Sequence, residues 1–214
     1  MKTVNKKTLF IIIPILVIVL SVTLILSINN AGPRLSKKEI SALRQQYPIC
    51  GINAPMTVEM RTPSLSEIKT RFETFVYGEV VGEAETYIVQ TSTGIDELDD
   101  KREGYGISDE FEFYEYTIRV IDDTEGKKEK GKEITITANS YLIDYNPKLS
   151  DGMKIVVPVI TNKKKSTRNG YNVVGMYYVT EDGYAISAFD ESSEVSRNRN
   201  SGLKVEELLK RLKK

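Results

Sequence analysis

The stretch TFVYGEVVGEAETYIVQ, residues 74–90, decides how the rest of the chain is read. It is dense in Val, Tyr, Thr and Ile, the residues that suit a pleated, half-buried surface. Gly78 and Gly82 fall inside it, where a bulge or a sharp bend fits a strand. Moving downstream, residues 91–110 read as a loop. FEFYEYTIRVI, residues 111–121, alternates with period two: Tyr114, Tyr116, Ile118 and Val120 share one face, with Glu115, Thr117 and Arg119 opposite. After the turn TEGKKEKGK, EITITANSYLIDY (133–145) sets Ile134, Ile136 and Ala138 against Thr135 and Thr137. MKIVVPVI (153–160), YNVVGMYYV (171–179) and YAISAF (184–189) follow. Pro158 suggests that the fourth strand is an edge or carries a bulge, because proline has no N–H for a ladder. Six short strands at regular spacing predict a small antiparallel sandwich or barrel. A long, glycine-bent first strand leading into a meander fits an OB-like barrel over residues 73–190 best.

Helices flank this region. LSKKEISALRQQYP opens with Ser36 as a cap, Glu39 reaching back to it, and Leu35 stapling onto Ile40; Ile40, Leu43 and Tyr47 share a face and Pro48 stops the helix. Ser64 and Glu67 form a second capping box before Ile68 and Phe72. The end, LKVEELLKRLKK, places Val205, Leu208, Leu209 and Leu212 on one face, with Lys204, Lys210, Arg211, Lys213 and Lys214 away from it. Packing against the barrel end is the reading favoured over a membrane-surface helix, since four apolar residues are few for insertion. The stretch LSDGMKIVVPVI looks like a Leu-x-x-Gly-x turn and strand. Through it, residues 66–213 resemble the N-terminally membrane-anchored small β-barrel proteins displayed outside Gram-positive bacteria. The resemblance implies a barrel outside the membrane and carries no catalytic residue.

The N-terminal part supplies the anchor. Residues 8–28 hold no charge over 21 positions, and spanning about 30 Å of hydrocarbon takes about 20 helical residues. The run exceeds the length of a cleavable signal core, and Asn29-Asn30-Ala31 makes a poor cleavage site. An uncleaved signal-anchor is therefore expected. Lys2, Lys6 and Lys7 hold residues 1–7 in the cytoplasm, which puts the remainder outside the cell membrane. The expected organisation is a tail (1–7), a transmembrane helix (8–28) that meets the lipid bilayer, a linker with short helices (29–72), the barrel (73–190), and a loop with a C-terminal helix (191–214).

Composition excludes several chemistries. The chain has no histidine, which removes Ser-His-Asp and Cys-His arrangements and nearly all catalytic zinc sites. One cysteine, Cys50, allows no intrachain disulfide. No Asn-x-Ser/Thr sequon occurs, which fits a bacterial envelope protein. All 30 acidic residues follow the anchor while three of the 30 basic ones precede it, leaving a net charge of −3 outside.

The charge is unevenly placed. Asp96, Glu97, Asp99, Asp100, Glu103, Asp109, Glu110 and Glu112 crowd one loop, read as a solvated acidic loop because the EF-hand order of calcium ligands is missing. Lys127, Lys128, Lys130 and Lys132 fill one turn, and Lys163, Lys164, Lys165 and Arg168 another. Alternate connections of a meander share an end, so these eight form the candidate binding site, a basic pole. The acidic loop, Asp144, Asp151, Glu181 and Asp182 belong at the other end. Tyr114, Tyr116, Tyr141, Tyr177 and Tyr178 could stack nucleobases, but strand tyrosines more often pack, and no nucleic-acid partner is expected. A Ser/Lys hydrolase is the rival from another class, since that chemistry needs no histidine; the Ser-Met pair of membrane-anchored signal peptidases is absent. The sequence thus predicts a non-catalytic binding or assembly module of the envelope, without metal or cofactor, meeting a protein or an anionic envelope polymer.

Overall fold

The computed structural model describes residues 34–50, 64–90, 94–105, 110–139, 146–161, 168–171, 173–192, 194 and 198–213. The expected transmembrane run at 8–28 lies outside them. Among the described residues no helix is long and apolar enough to cross a membrane.

The chain is mainly β, with short helices before the strands and one after them. The elements are α1 (Lys37–Leu43), α2 (Leu65–Arg71), β1 (Thr74–Gln90), α3 (Asp96–Gly104), β2 (Glu110–Asp123), β3 (Glu133–Asn139), β4 (Lys154–Thr161), β5 (Arg168–Tyr171), β6 (Tyr177–Val179), β7 (Ala185–Ser187) and α4 (Val205–Leu212). Both capping boxes form: Ser36 N donates to Glu39 Oε2 at 2.7 Å and Ser64 N to Glu67 Oε2 at 2.8 Å. The first helix is shorter than expected, and beyond it Gln46 N (3.0 Å) and Tyr47 N (2.8 Å) both donate to Leu43 O in a turn that still buries Tyr47 against Tyr178.

The strand order departs from a meander. β1 pairs with β2, β2 with β3, β3 with β5 in parallel, β5 with β4, and β4 with β1, so the circuit of ladders returns to its start. β6 and β7 extend it from β4. One long strand serves both neighbours because it bends. Thr74–Glu79 face β4, while β1 follows β2 all the way to Gln90, with irregularities at Tyr77/Gly78 and Val81/Glu85. Gly78 is needed there: a Cβ would lie 2.4 Å from Ile118 Cγ2 and 2.7 Å from the Arg119 carbonyl oxygen. Gly82 adopts φ +74°, a left-handed conformation that favours glycine.

Pro158 sits in an interior strand, not at an edge. Glu73 N donates to Val159 O, so residue 159 aims at β1 and its neighbour Pro158 aims the other way. On that side β6 pairs with residues 154–156 and β5 begins at residue 159. The missing N–H faces the gap between two partners and costs no ladder bond. The expected strand 171–179 is two strands, because Gly175 at φ +89° turns the chain between β5 and β6. The expected loop 91–110 contains α3, a polar helix with its acidic residues first and its basic ones last, as the helix dipole favours.

Strand alternation predicts the core correctly. Ile118, Val120 and Ile136 are buried inside the ring with Val76, Val80, Ile155, Val157, Val159 and Tyr178, while Thr117 and Thr135 are half-exposed. Each such aliphatic side chain contributes roughly 1.5–3 kcal/mol by leaving water. A second cluster lies on the outer face of β4, β6 and β7: Val156, Tyr177 and Ala185 pack with Ile68 of α2 and with Val205, Leu208 and Leu212 of α4. This is why β4 reads as an unbroken apolar run. The apolar face of α4 is spent on this packing. Both clusters are drawn from residues within one compact unit, Leu35–Lys214, which therefore carries its own core.

Candidate functional site

The β2–β3 turn is pinned by one carboxylate. Asp123 accepts from the backbone N–H of Glu125 (2.7 Å), Lys127 (3.1 Å) and Lys128 (2.7 Å) and from the Thr74 hydroxyl (3.0 Å). Burial alone would raise the Asp123 pKa, but these donors outweigh it and hold the carboxyl below its ordinary value. Thr124 reinforces the anchor, its hydroxyl accepting from Phe75 N at 3.1 Å. Sequence reasoning missed Asp123. Its signal was an Asp opening a turn, where its side chain meets N–H groups a few residues on.

The turn lies at the end of the ring where β1 starts. Lys127 Nζ donates to Glu73 O, 3.1 Å, and Lys128 Nζ to Asn169 Oδ1, 3.1 Å. Asn169 is buried and donates in turn to Thr135 O at 2.9 Å. Because β3 and β5 run in parallel, with Thr135 opposite Arg168, the start of β5 lies beside the start of β3. Arg168 and Asn169 therefore lie at the end that holds the β2–β3 turn, in a strand order that is not a meander. Lys163, Lys164 and Lys165 lie outside the described residues; Thr161 and Arg168, which flank them in the chain, are at this end.

The charge at this end is less uniform than the lysines alone suggest. Lys130 pairs with Asp122 at 3.0 Å and Lys132 with Glu129 at 3.6 Å. All four side chains are largely exposed, so each pair adds little stability. Residues 122–132 hold four carboxylates, Asp122, Asp123, Glu125 and Glu129, against the four lysines, so this turn carries no net charge; the basic stretch of the sequence is 162–170, with Lys163, Lys164, Lys165 and Arg168 and no carboxylate. At the opposite end Asp151 accepts from Gly82 N at 2.7 Å beside the bend of β1. Asp144 and Asp109 lie outside the described residues.

Other polar clusters are structural. Arg44 donates to Ser187 O (2.6 Å) and Ser187 Oγ (3.1 Å), tying the chain after α1 to β7. Buried Glu191 accepts from Asn200 N (2.9 Å), Ser201 N (3.1 Å) and the Tyr177 hydroxyl (3.3 Å), so its charge is met by donors. The buried serines 187 and 201 bond each other, 2.7 Å. Cys50 Sγ lies 3.5 Å from the Tyr178 hydroxyl, and burial pushes its thiol pKa up despite that bond and the Arg44 charge. Tyr116, Tyr177 and Tyr178 are buried, so they present no stacking face. Among the described residues no group of three or more carboxylate or thiol side chains converges as a metal site. An open recess of about 440 Å³ lies between α2 and α4, where Lys69 Nζ donates to Arg211 O at 2.9 Å and Glu194 accepts from Leu65 N at 3.1 Å.

No protein-family model, curated protein or solved structure matches this chain.

Proposed function

We propose that the chain is a membrane-anchored binding or assembly module of a bacterial envelope: a signal-anchor at residues 8–28 with its N-terminus in the cytoplasm, displaying an OB-like barrel outside the cell. The closed circuit of five ladders supports the barrel reading, since OB-like folds are five-stranded Greek-key barrels. The module acts without catalysis, through its basic end. The observation that supports this reading is the Lys128–Asn169 bond, which ties the β2–β3 turn to β5, the strand that follows residues 163–165 in the chain. The counterpart is anionic: an acidic patch on an envelope protein, a wall polyanion, or phospholipid head groups. Such a field acts over a Debye length of about 8 Å at physiological salt. Crosslinking with mass spectrometry on native membranes tests the reading. Crosslinks from the basic end to an acidic partner support it. Robust labelling of one serine by a fluorophosphonate would instead favour the Ser/Lys hydrolase.

A further inference from the structure

The recess between α2 and α4 stands on a packed base. Ile68 of α2 and Leu208 and Leu212 of α4 are buried in one cluster on the outer sheet face, which fixes both helices. Asn200, which lines the recess, is also buried: its N–H donates to Glu191 at 2.9 Å and its side-chain amide to the Tyr177 hydroxyl at 3.1 Å. The recess measures about 440 Å³, within the range of about 300–1,000 Å³ common to small-ligand sites. Ser66 and Lys69 reach it from α2, three residues apart on one helix face, and Arg211 from the last turn of α4.

The polar groups of this recess are only partly used. Lys69 Nζ donates to the Arg211 carbonyl oxygen at 2.9 Å and has two further protons to give. Arg211 sets Nε against Glu207 at 3.2 Å, which leaves the N–H groups of both terminal guanidinium nitrogens. No other hydrogen bond or ion pair holds either cation, and the side chains of Ser66 and Asn198, both exposed, are likewise unbonded. Glu194 is the one carboxylate among the lining residues; it accepts from Leu65 N at 3.1 Å and pairs with neither cation. The recess thus offers two uncompensated cations, several donors and one carboxylate that still has acceptor capacity. A guanidinium fork suits a carboxylate bidentately, and an ammonium adds a point charge. A phosphate would meet the same cations but would bring more negative charge to Glu194. A carboxylate with an N–H beside it satisfies both signs, and the last residue of a peptide carries that pair of groups.

We infer that the recess binds the carboxyl end of a peptide. The chain-end carboxylate sits between Lys69 and the terminal nitrogens of Arg211, the last peptide N–H donates to Glu194, and Ser66 and Asn198 bond the peptide group before it. The packed base holds these groups in place before the ligand arrives, which lowers the cost of ordering them. The recess shares no residue with the basic end, so either reading can fail alone.

The test titrates residues 31–214, which contain both hydrophobic clusters, with acetyl-trialanine bearing a free carboxyl end. The readout is the NMR signals of the Asn200 side-chain amide and the Arg211 Nε–H. Three comparison ligands are the same peptide with a terminal carboxamide, acetate, and inorganic phosphate. The free-acid peptide is expected to shift both signals and to bind about tenfold or more tightly than each of the three, the difference that one charge-assisted hydrogen bond makes. Arg211→Gln, at an exposed position, is expected to weaken it by a similar factor without shifting the melting temperature, and Lys69→Gln likewise. Lys213→Gln, exposed just beyond the same helix and outside the recess, is expected to leave it unchanged. Equal binding of the carboxamide would overturn recognition of a carboxylate. Equal binding of acetate or phosphate would reduce the recess to a plain anion site, and an equal loss in Lys213→Gln would reduce it to diffuse charge; either overturns the inference, as does the absence of binding.

Discussion

Replacing Gly78 by alanine should destabilise the chain by overpacking. A methyl group there would sit 2.4 Å from Ile118 Cγ2 and 2.7 Å from the Arg119 carbonyl oxygen. Carbon contacts prefer about 3.5–4.0 Å, so the first must open by more than about 1 Å. Ile118 is fully buried and cannot swing into solvent, and the Arg119 carbonyl belongs to the strand paired with β1. The cost should reach the upper part of the overpacking range, about 2–3 kcal/mol. Gly82→Ala is the control. It meets nothing within 4 Å and suffers only its left-handed φ of +74°, a penalty of about 1–2 kcal/mol. Urea unfolding of residues 31–214 followed by far-UV circular dichroism gives both values. In the double change Gly78→Ala/Ile118→Ala the side-chain clash is gone, but the carbonyl contact stays. The pair should therefore lose about 1 kcal/mol less than the sum of the singles. A loss below about 0.5 kcal/mol for Gly78→Ala, or strict additivity, would refute the close crossing of β1 and β2 that lets one strand bridge two neighbours.

Three further expectations follow from the same geometry. Ile118→Ala and Ile136→Ala should each cost about 2–5 kcal/mol, with Thr117→Ala and Thr135→Ala far less; equal losses in the same urea assay would mean a register wrong by one residue. The lowered pKa of Asp123 stabilises the folded state above the unfolded carboxylate pKa of about 3.9, and this contribution disappears as pH falls through the folded value. Asp123→Asn should thus flatten the acid limb of the stability curve, and an unchanged limb would show that Asp123 does not anchor the turn. Protease added to intact protoplasts should remove the exterior part of an otherwise full-length protein; a protected domain, or a mature N-terminus near Ala31, would contradict the anchor.

Strand faces were legible in the sequence because period-two alternation is local: Ile118 and Val120 against Thr117 and Arg119 could be sorted by eye. The two glycine bends, both capping boxes and the apolar face of α4 were legible for the same reason. The partners of the strands were not. Nothing within MKIVVPVI says that β4 returns to β1, or that β5 lies parallel to β3; those pairings join residues about 80 and 30 positions apart and are set by closure of the ring. The meaning of Pro158 went with them, since its harmless position depends on where β6 stops and β5 starts. At the basic end, the expected shared location of the two connections rested on a meander that the strand order does not follow, and Lys163, Lys164 and Lys165 lie outside the described residues. The Lys130–Asp122 pair was not legible, because Asp122 belongs to β2 and reaches Lys130 only once the turn is folded.

The most direct test of the account is the binding of residues 31–214 to anionic vesicles, wall polymer and a crosslinked envelope partner, before and after exchange of Lys127, Lys128, Lys163, Lys164 and Lys165 for glutamine. Exposed charges such as Lys127 contribute only about 0–1 kcal/mol each; half-buried Lys128 also loses its bond to Asn169, so circular dichroism first checks that the exchanged chain keeps its fold. The native chain should bind at least one of the three at low salt and lose it as salt rises, and the exchanged chain should bind it markedly less. Unchanged binding of all three after the exchange would reduce these lysines to solubility residues and contradict a basic end that recognises an anionic partner.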